Sequence, residues 1–338
     1  MTEILQSVIP SPYAWTGVEL GGKAALVREA GPAALRALDE LAPRLSGLPF
    51  KQITRADAEH PAINALMDAV RDDVMNGRGL AVVAGLDPQR WDPADYKRLY
   101  WALGTHLGQG VVQSAFGDYV ARVERNPDLP WRGTTTDMEL RPHTDFHEVM
   151  SLASVSKAQS GGMSGFVSSL AIHNEILRTR PDLLAALYEG WFNVSIRDRR
   201  PSPGKVPIYC CVDGKVSCFF NRVFYQKPED AGELMPPALI EAMALMDAIA
   251  ARPGVRTEFM LEPGETAFWH NFLVMHARTA FQDTDDHRRL LLRLWLNVPA
   301  GRPMDEAISA RARIIDEDHI AGHPTAPIRH ESPDGFPN

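Results

Sequence analysis

Apolar residues recur at helical spacing through Ile63, Leu66, Met67, Val70 and Val74, and Gly77 follows as a stop signal. The period then changes. Leu80 to Val83 is a short apolar run between Gly79 and Gly85, which is the pattern of a buried strand. Asp92-Pro93 reads as an N-cap with proline at the first helical position, and the helix it opens carries Tyr96, Leu99, Tyr100, Leu103 and Leu107 on one face. Up to about residue 110 the chain is therefore largely helical.

From about residue 119 the pattern breaks into short β-like runs: Tyr119 to Val123, Val149 to Ser156, Val206 to Val212, Lys215 to Phe220, Thr266 to Trp269 and Leu290 to Val298. Short strands with turn signals between them predict a sandwich or barrel. Asp213-Gly214 predicts a tight hairpin, because both residues tolerate the positive φ angles of a two-residue turn. Two helices interrupt the strands, one near Arg180 to Trp191 and one from Pro237 through Leu239, Met243 and Met246 to a stop before Pro253-Gly254. The proline-rich, polar stretch 319–338 predicts a surface arm or a disordered tail. With no repeat or low-complexity linker, residues 1–318 read as one domain. Its helical N-terminal part runs to about 110, its β core covers about 111–300, and a helical insertion occupies about 171–255.

Composition narrows the function. A chain of 338 residues with 45% hydrophobic content is long enough to bury a sizeable core, as a soluble globular enzyme does. The first residues lack a basic segment followed by an apolar one, and no apolar run is long enough to cross a bilayer, so the expectation is a cytoplasmic protein without a membrane partner. The net charge of -8 is spread over segments of mixed sign, which excludes the basic stripe that a nucleic acid requires. Cys210, Cys211 and Cys218 are too few and too clustered for a disulfide framework and read as small buried hydrophobes. A homo-oligomer stays open.

The chemistry starts at His143. In Pro142-His143-Thr144-Asp145 an extended backbone projects residues i and i+2 to one side, so an imidazole and a carboxylate can reach one ion. A lone H-x-D triplet is expected by chance about once in such a chain, and carries little by itself. Its weight comes from a distant segment, Phe268-Trp269-His270-Asn271-Phe272-Leu273-Val274-Met275-His276-Ala277-Arg278, followed by Arg288-Arg289-Leu290-Leu291-Leu292-Arg293-Leu294-Trp295. H-x-D, a long insertion, a second His and an Arg 13 residues beyond it resemble the taurine and 2,4-dichlorophenoxyacetate dioxygenase family, within the wider clavaminate synthase-like group. Weaker pieces fall in order over about residues 70 to 300: Arg78-Gly79-Leu80-Ala81-Val82-Val83, the glycine-marked stretch from Leu103-Gly104 to Leu107-Gly108, Gly161-Gly162-Met163-Ser164, and Leu261-Glu262-Pro263-Gly264-Glu265.

The resemblance implies a mainly β protein with flanking helices around a double-stranded β-helix (jelly roll, cupin-like) core. It also implies an Fe(II)- and 2-oxoglutarate-dependent dioxygenase, with His143, Asp145 and His276 as metal ligands. Two imidazoles and one carboxylate on one face of a metal are the geometry of non-haem iron oxygenases. By resemblance, 2-oxoglutarate and O2 would meet at the iron and leave succinate and CO2, while a C–H bond of a small molecule is hydroxylated. The carboxylate at Asp145 marks oxygenation, since halogenating relatives carry a small residue there. Arg289 is the expected cation for the far carboxylate of 2-oxoglutarate, because a guanidinium fork donates two parallel hydrogen bonds. Ser164 is expected to add a third, with a purely local turn role as the alternative.

On a strand, residues 289, 291, 293 and 295 share one face, which makes Arg293 the candidate for an anionic group of the substrate near the pocket mouth. The alternative is that Arg293 pairs with an acid of the chain and shapes the wall. Arg278 and Arg288 read as solvated or structural, Trp269 as core, and Asn271 as a residue that orients the site. His147 is set aside because its surroundings are extended. His270 stands where many relatives carry Asp, and Gly108-Gln109-Gly110 is no dinucleotide fingerprint. A zinc hydrolase using the same three ligands is the rival function, and it leaves Arg289 and Ser164 unexplained.

Overall fold

The structure is a computed structural model that describes residues 3–114, 116–128, 133–194, 201–225 and 234–321. Its larger sheet has the order β1 (Val27–Glu29), β2 (Leu80–Ala84), β14 (Thr266–His270), β6 (Val149–Ser156), β17 (Leu290–Asn297) and β3 (Gln109–Gly110), with β4 (Ala121–Val123) also paired to β17. The smaller sheet has the order β13 (Thr257–Phe259), β8 (Ser164–Ser168), β15 (Val274–Arg278) and β5 (Leu140–His143). Two-stranded ladders join β7 (Ser160–Gly161) to β16 (Phe281–Gln282), β9 (Trp191–Val194) to β10 (Pro201–Val206), and β11 (Tyr209–Val212) to β12 (Lys215–Cys218). The protein is mainly β with flanking helices, and the two larger sheets make a jelly-roll core.

β17 is buried along nearly all its length because both its faces are covered. Leu292, Leu294 and Leu296 pack with helices α2 (Pro32–Leu45), α3 (Pro61–Met75) and α4 (Pro93–Gly104), whereas Trp295 turns toward the other sheet. The sheets meet through aromatic rings: Phe166 of β8 stands edge-on to Trp269 of β14, 5.4 Å between centres. A strand covered on both sides loses the alternation of apolar and polar residues, which is why the run from Leu290 is so uniformly apolar.

Local expectations hold where the signal is a cap or a turn. His60 and Asp92 cap α3 and α4 through their side chains, each followed by proline. Asp213 and Gly214 have φ of 52° and 71°, as the hairpin between β11 and β12 needs. The three cysteines are buried and unpaired in that hairpin, and Tyr209 lies opposite Cys218.

Proline corrects two boundaries. The helix expected near Arg180 to Trp191 is instead α5 (Ser169–Thr179) followed by α6 (Leu184–Glu189), and Trp191 already belongs to β9. Pro181 pushes Arg180 out of the helical region, to φ -145° and ψ 60°. The run Val206 to Val212 is split at Pro207, so β10 ends where β11 has not yet begun.

Two further helices are α7 (Pro237–Ala250), as expected, and the short α1 (Gly17–Leu20). The expected tail is also shortened. An unforeseen helix α8 (Glu306–Ala321) takes in residues 319–321, and 322–338 lie outside the described residues. Its buried stripe is Ile308, Arg311 and Ile315, and an arginine at the centre hides the apolar period. The Arg311 guanidinium is buried by bonds to Asn193 Oδ1 and the Val194 carbonyl, both at 3.0 Å.

The approach of β3 to α4 gives a stability test. A Cβ on Gly110 would lie 2.2 Å from the Trp101 indole. Gly110→Ala is expected to destabilise the protein by about 1–3 kcal/mol through overpacking. Urea unfolding checks this, and an unchanged midpoint would show that the helical layer gives way freely.

Candidate metal and co-substrate site

Two turns and one ladder assemble three ligand side chains. His143 ends β5 directly opposite His276 on β15, so both imidazoles leave the sheet on the same side with ring centres 4.2 Å apart. The chain then leaves the ladder. Thr144 binds Phe220 through its backbone N–H and accepts the Phe220 N–H on its hydroxyl, at 2.7 and 2.8 Å. Asn271, in the turn between β14 and β15, accepts the Asp145 N–H at 3.0 Å and donates to the carbonyls of Asp145 and His147, both at 2.9 Å. These bonds fix the Asp145 backbone. Its Oδ1 lies 4.0 Å from His143 Nε2 and its Oδ2 3.9 Å from His276 Nε2. One ligand atom from each residue falls within 4.8 Å of the others.

The protonation states suit a cation. His143 Nδ1 is 2.8 Å from the Arg141 carbonyl, which can only accept, so Nδ1 donates there and Nε2 is the ring nitrogen nearest Asp145. Burial, then the neighbouring His143, hold the His276 pKa well below its ordinary value, so this ring is neutral. Burial raises the Asp145 carboxyl, but its neighbours, the Arg293 charge foremost, outweigh it and leave the pKa below the usual value. Two neutral imidazoles and a carboxylate are the donor set of a non-haem Fe(II) site.

Behind Asp145 the larger sheet supplies a second layer. Trp295 Nε1 donates to Asp145 Oδ2 at 3.1 Å, and Arg293 Nη1 lies 3.4 Å from the same oxygen. Arg293 Nε donates to Gln113 Oε1 at 2.9 Å, and the guanidinium sits 4.4 Å from the centre of the Trp295 ring. Gln113 is fully buried and spends its amide N–H groups on the carbonyls of Tyr119 and Arg293. Arg293 therefore does pair with an acid of the chain, and it stands behind the three clustered side chains. Sequence reasoning missed Gln113 and the tie from Trp295 to Asp145, because nothing local marks residues 113 and 295 as neighbours.

The structure brings Arg289 to a different place. It lies just before β17, buried against the turn Gly161-Gly162, and its Nη1 has no hydrogen-bond partner. Gly162 is required there. Its φ is +75°, and a Cβ would lie 2.9 Å from Arg289 Nε. Burial, then the Arg278 charge, lower the Arg289 pKa against the pull of Asp283. A buried guanidinium nitrogen without a partner is costly, and a bound carboxylate removes the cost. 2-Oxoglutarate fits this requirement. Ser164 opens β8 opposite Arg278, and the ladder places it on the same side as His276.

The remaining histidines and arginines divide as follows. His147 donates to Asp316 of α8 at 3.0 Å, and His270 pairs with Glu148 at 3.2 Å. Arg288 is exposed, whereas Arg278 is buried and structural, donating to the carbonyls of Gly133, Thr136 and Met138. Trp269 is core, its ring 5.0 Å from that of His276.

Comparison with known proteins agrees with this geometry. Residues 44–295 match the family described as taurine catabolism dioxygenase TauD, TfdA family. The chain is 30% identical over 257 residues to FR-33289 synthase of Streptomyces rubellomurinus, covering 70% of this chain and 74% of that one. It is 28% identical over 253 residues to the taurine hydroxylase-like protein SAT17 of Stachybotrys chartarum, covering 69% of this chain and 65% of that one. Among solved structures, an asparagine oxygenase with Fe(II), 2S,3S-3-hydroxyasparagine and succinate shares the fold at a TM-score of 0.62 and 16% identity, over 81% of this chain and 94% of that one. The non-haem iron oxygenase OrfP with Fe and alpha-ketoglutaric acid aligns with the same TM-score, identity and coverage. The chain belongs to the TauD/TfdA dioxygenase family.

Proposed function

We propose that this Fe(II)- and 2-oxoglutarate-dependent dioxygenase hydroxylates a C–H bond of a small anionic molecule, with His143, Asp145 and His276 as the iron ligands. The observation that carries this reading is the pairing of that triad with the buried, partnerless nitrogen of Arg289. The overall change is substrate C–H plus 2-oxoglutarate plus O2 to substrate C–OH plus succinate plus CO2. When bound, the iron with its co-substrates supplies the oxidant that the protein's own groups lack.

The chain's residues position and shield. Arg289, aided by Ser164, holds the far carboxylate of 2-oxoglutarate, which fixes the reactive end relative to the triad. Trp295 and Arg293 grip Oδ2 of Asp145 and keep its carboxylate from turning. Asn271 holds the Asp145 backbone. The Trp269 ring against His276 keeps water from that side.

The substrate's anionic group is assigned to Arg293, through the Nη2 that Gln113 and Asp145 leave open. Amino acids, their derivatives and small organic acids are the first compounds to test, since the structural neighbours were solved with 3-hydroxyasparagine and hydroxylated arginine. No helix among the described residues is long and apolar enough to cross a membrane. Three unpaired cysteines suit the reducing cytoplasm.

Anaerobic addition of Fe(II) and 2-oxoglutarate to the apoprotein should produce the visible charge-transfer band of the chelate, and His143→Ala or His276→Ala should abolish band and activity together. Turnover with zinc and no 2-oxoglutarate would instead establish the hydrolase.

Arg289→Ala should weaken 2-oxoglutarate by about tenfold to a few thousandfold, the cost of losing a charge-assisted fork and stranding a carboxylate. Titration of the same band measures this. An unchanged affinity means that another cation holds the carboxylate.

For the substrate, an acid should stimulate 2-oxoglutarate consumption at least about tenfold more than its neutral amide, as one charge-assisted hydrogen bond demands. Arg293→Gln should erase that preference. Equal stimulation by acid and amide in the parent protein refutes the assignment.

A further inference from the structure

Arg278 was expected to be solvated or structural, and its surroundings ask for more. Both Arg278 and Arg289 are buried, at 5% and 4% exposure, and neither forms an ion pair with a described residue. The acids whose charge reaches them form no ion pair with their guanidiniums. Asp283 accepts the Arg289 backbone N–H at 2.9 Å, and Asp137 pairs with Arg125 at 3.0 Å.

The two guanidiniums share a ring. Arg278 lies 5.0 Å and Arg289 5.1 Å from the centre of Phe281. The backbone just after Arg278 is zipped to the glycine turn, against which Arg289 packs. Gly162 N–H donates to the Ala280 carbonyl at 3.1 Å, Met163 N–H to Thr279 Oγ1 at 3.0 Å, and Thr279 N–H to the Met163 carbonyl at 3.0 Å. Each guanidinium also keeps one buried nitrogen without a partner, Nε of Arg278 and Nη1 of Arg289.

Two like charges confined near one ring with one open donor each form an incomplete arrangement, because a buried charge without a counter-ion is destabilising. A single carboxylate has two oxygens and completes it. Arg278 also reaches further. Its Nη atoms hold the carbonyls of Gly133, Thr136 and Met138, in the segment that leads into β5 and His143.

We propose that Arg278 and Arg289 together seat the far carboxylate of 2-oxoglutarate, and that Arg278, through the carbonyls it holds, ties the 133–138 segment to occupancy of that seat. The proposal rests on 2-oxoglutarate being the co-substrate and Arg289 its principal cation. Succinate retains the same carboxylate, so the segment stays held through the reaction and is released when succinate leaves.

The test uses Arg278→Gln and Arg278→Lys in the full chain. Under anaerobic conditions with Fe(II), the charge-transfer band gives 2-oxoglutarate affinity, and hydrogen exchange of the 133–138 amides is followed with and without 2-oxoglutarate. Co(II) absorption verifies an intact metal site in each variant.

Arg278→Gln should weaken 2-oxoglutarate by about ten- to a hundredfold and abolish the slowing of exchange that 2-oxoglutarate causes in the parent. Arg278→Lys, a point charge without the planar fork, should recover part of the affinity and none of the slowing. If Arg278→Gln does not fold, the lysine variant alone decides the second limb. Parent-like affinity in Arg278→Gln overturns the shared seat, and exchange in the parent that ignores 2-oxoglutarate overturns the tie to the segment. A parent protein that gives no band would remove the co-substrate reading beneath both.

Discussion

In an antiparallel ladder, directly opposed residues project to the same side of the sheet with Cβ atoms only about 4.5–5.5 Å apart. The pairing of His143 with His276 makes two metal ligands out of residues that stand far apart in sequence. A shift of one residue would send one imidazole to the opposite face. Everything around the site serves that register. The Asn271 side chain clamps Asp145 to the turn that starts β15, and Thr144 bolts the other end of the loop to Phe220. The third ligand thus arrives through side-chain bonds to backbone.

Charge balance explains the next layer. Asp145, Arg278, Arg289 and Arg293 are all buried, and burial of any of them alone would be costly. Arg293 and Asp145 compensate each other directly, and Gln113 takes up a further guanidinium N–H. Arg278 and Arg289 have no such answer within the described residues, and their open nitrogens point to an anion that the chain does not supply. The two ends of the site are therefore different in kind. One holds an ion pair between its own residues, and the other holds two buried arginines without an ion pair among the described residues.

Local chemistry was legible in the sequence. Asp92-Pro93, Asp213-Gly214 and Gly161-Gly162 mark a cap, a hairpin turn and a close approach, because each depends on a few adjacent backbone angles. The clustering of His143, Asp145 and His276 was legible from their spacing and order. Relations between strands were not. Period-two counting put Arg289 and Arg293 on one face, but Arg289 precedes the strand, and the pairing of β17 with β6 shifts register between Leu290 and Leu291. The two arginines end in separate surroundings. Gln113 and α8 escaped notice for a related reason. Gln113 reaches the site only through Arg293, 180 residues away, and the stripe of α8 is broken by an arginine whose N–H groups donate to Asn193 and Val194.

The placement of α8 bears on how one frame serves different substrates. The co-substrate end, from Gly161 to Arg289, falls wholly within the 44–295 stretch that matches the family, as it should if members share 2-oxoglutarate. Trp295, Arg293 and Gln113 behind Asp145 fall within it too, but the helix packed against them does not. Asp316 of α8 bonds His147, and the His319 ring stacks 5.8 Å from Trp295, the residue whose indole holds Oδ2 of Asp145. A helix outside the shared stretch thus presses on the tryptophan that steadies a ligand. Substrates differ among members while the oxidant does not, so discrimination has to come from parts that vary independently of the triad and of the Arg289 end. α8 is such a part. It adjoins Arg293 through Trp295, and it can be altered without touching the ladder that sets His143 against His276.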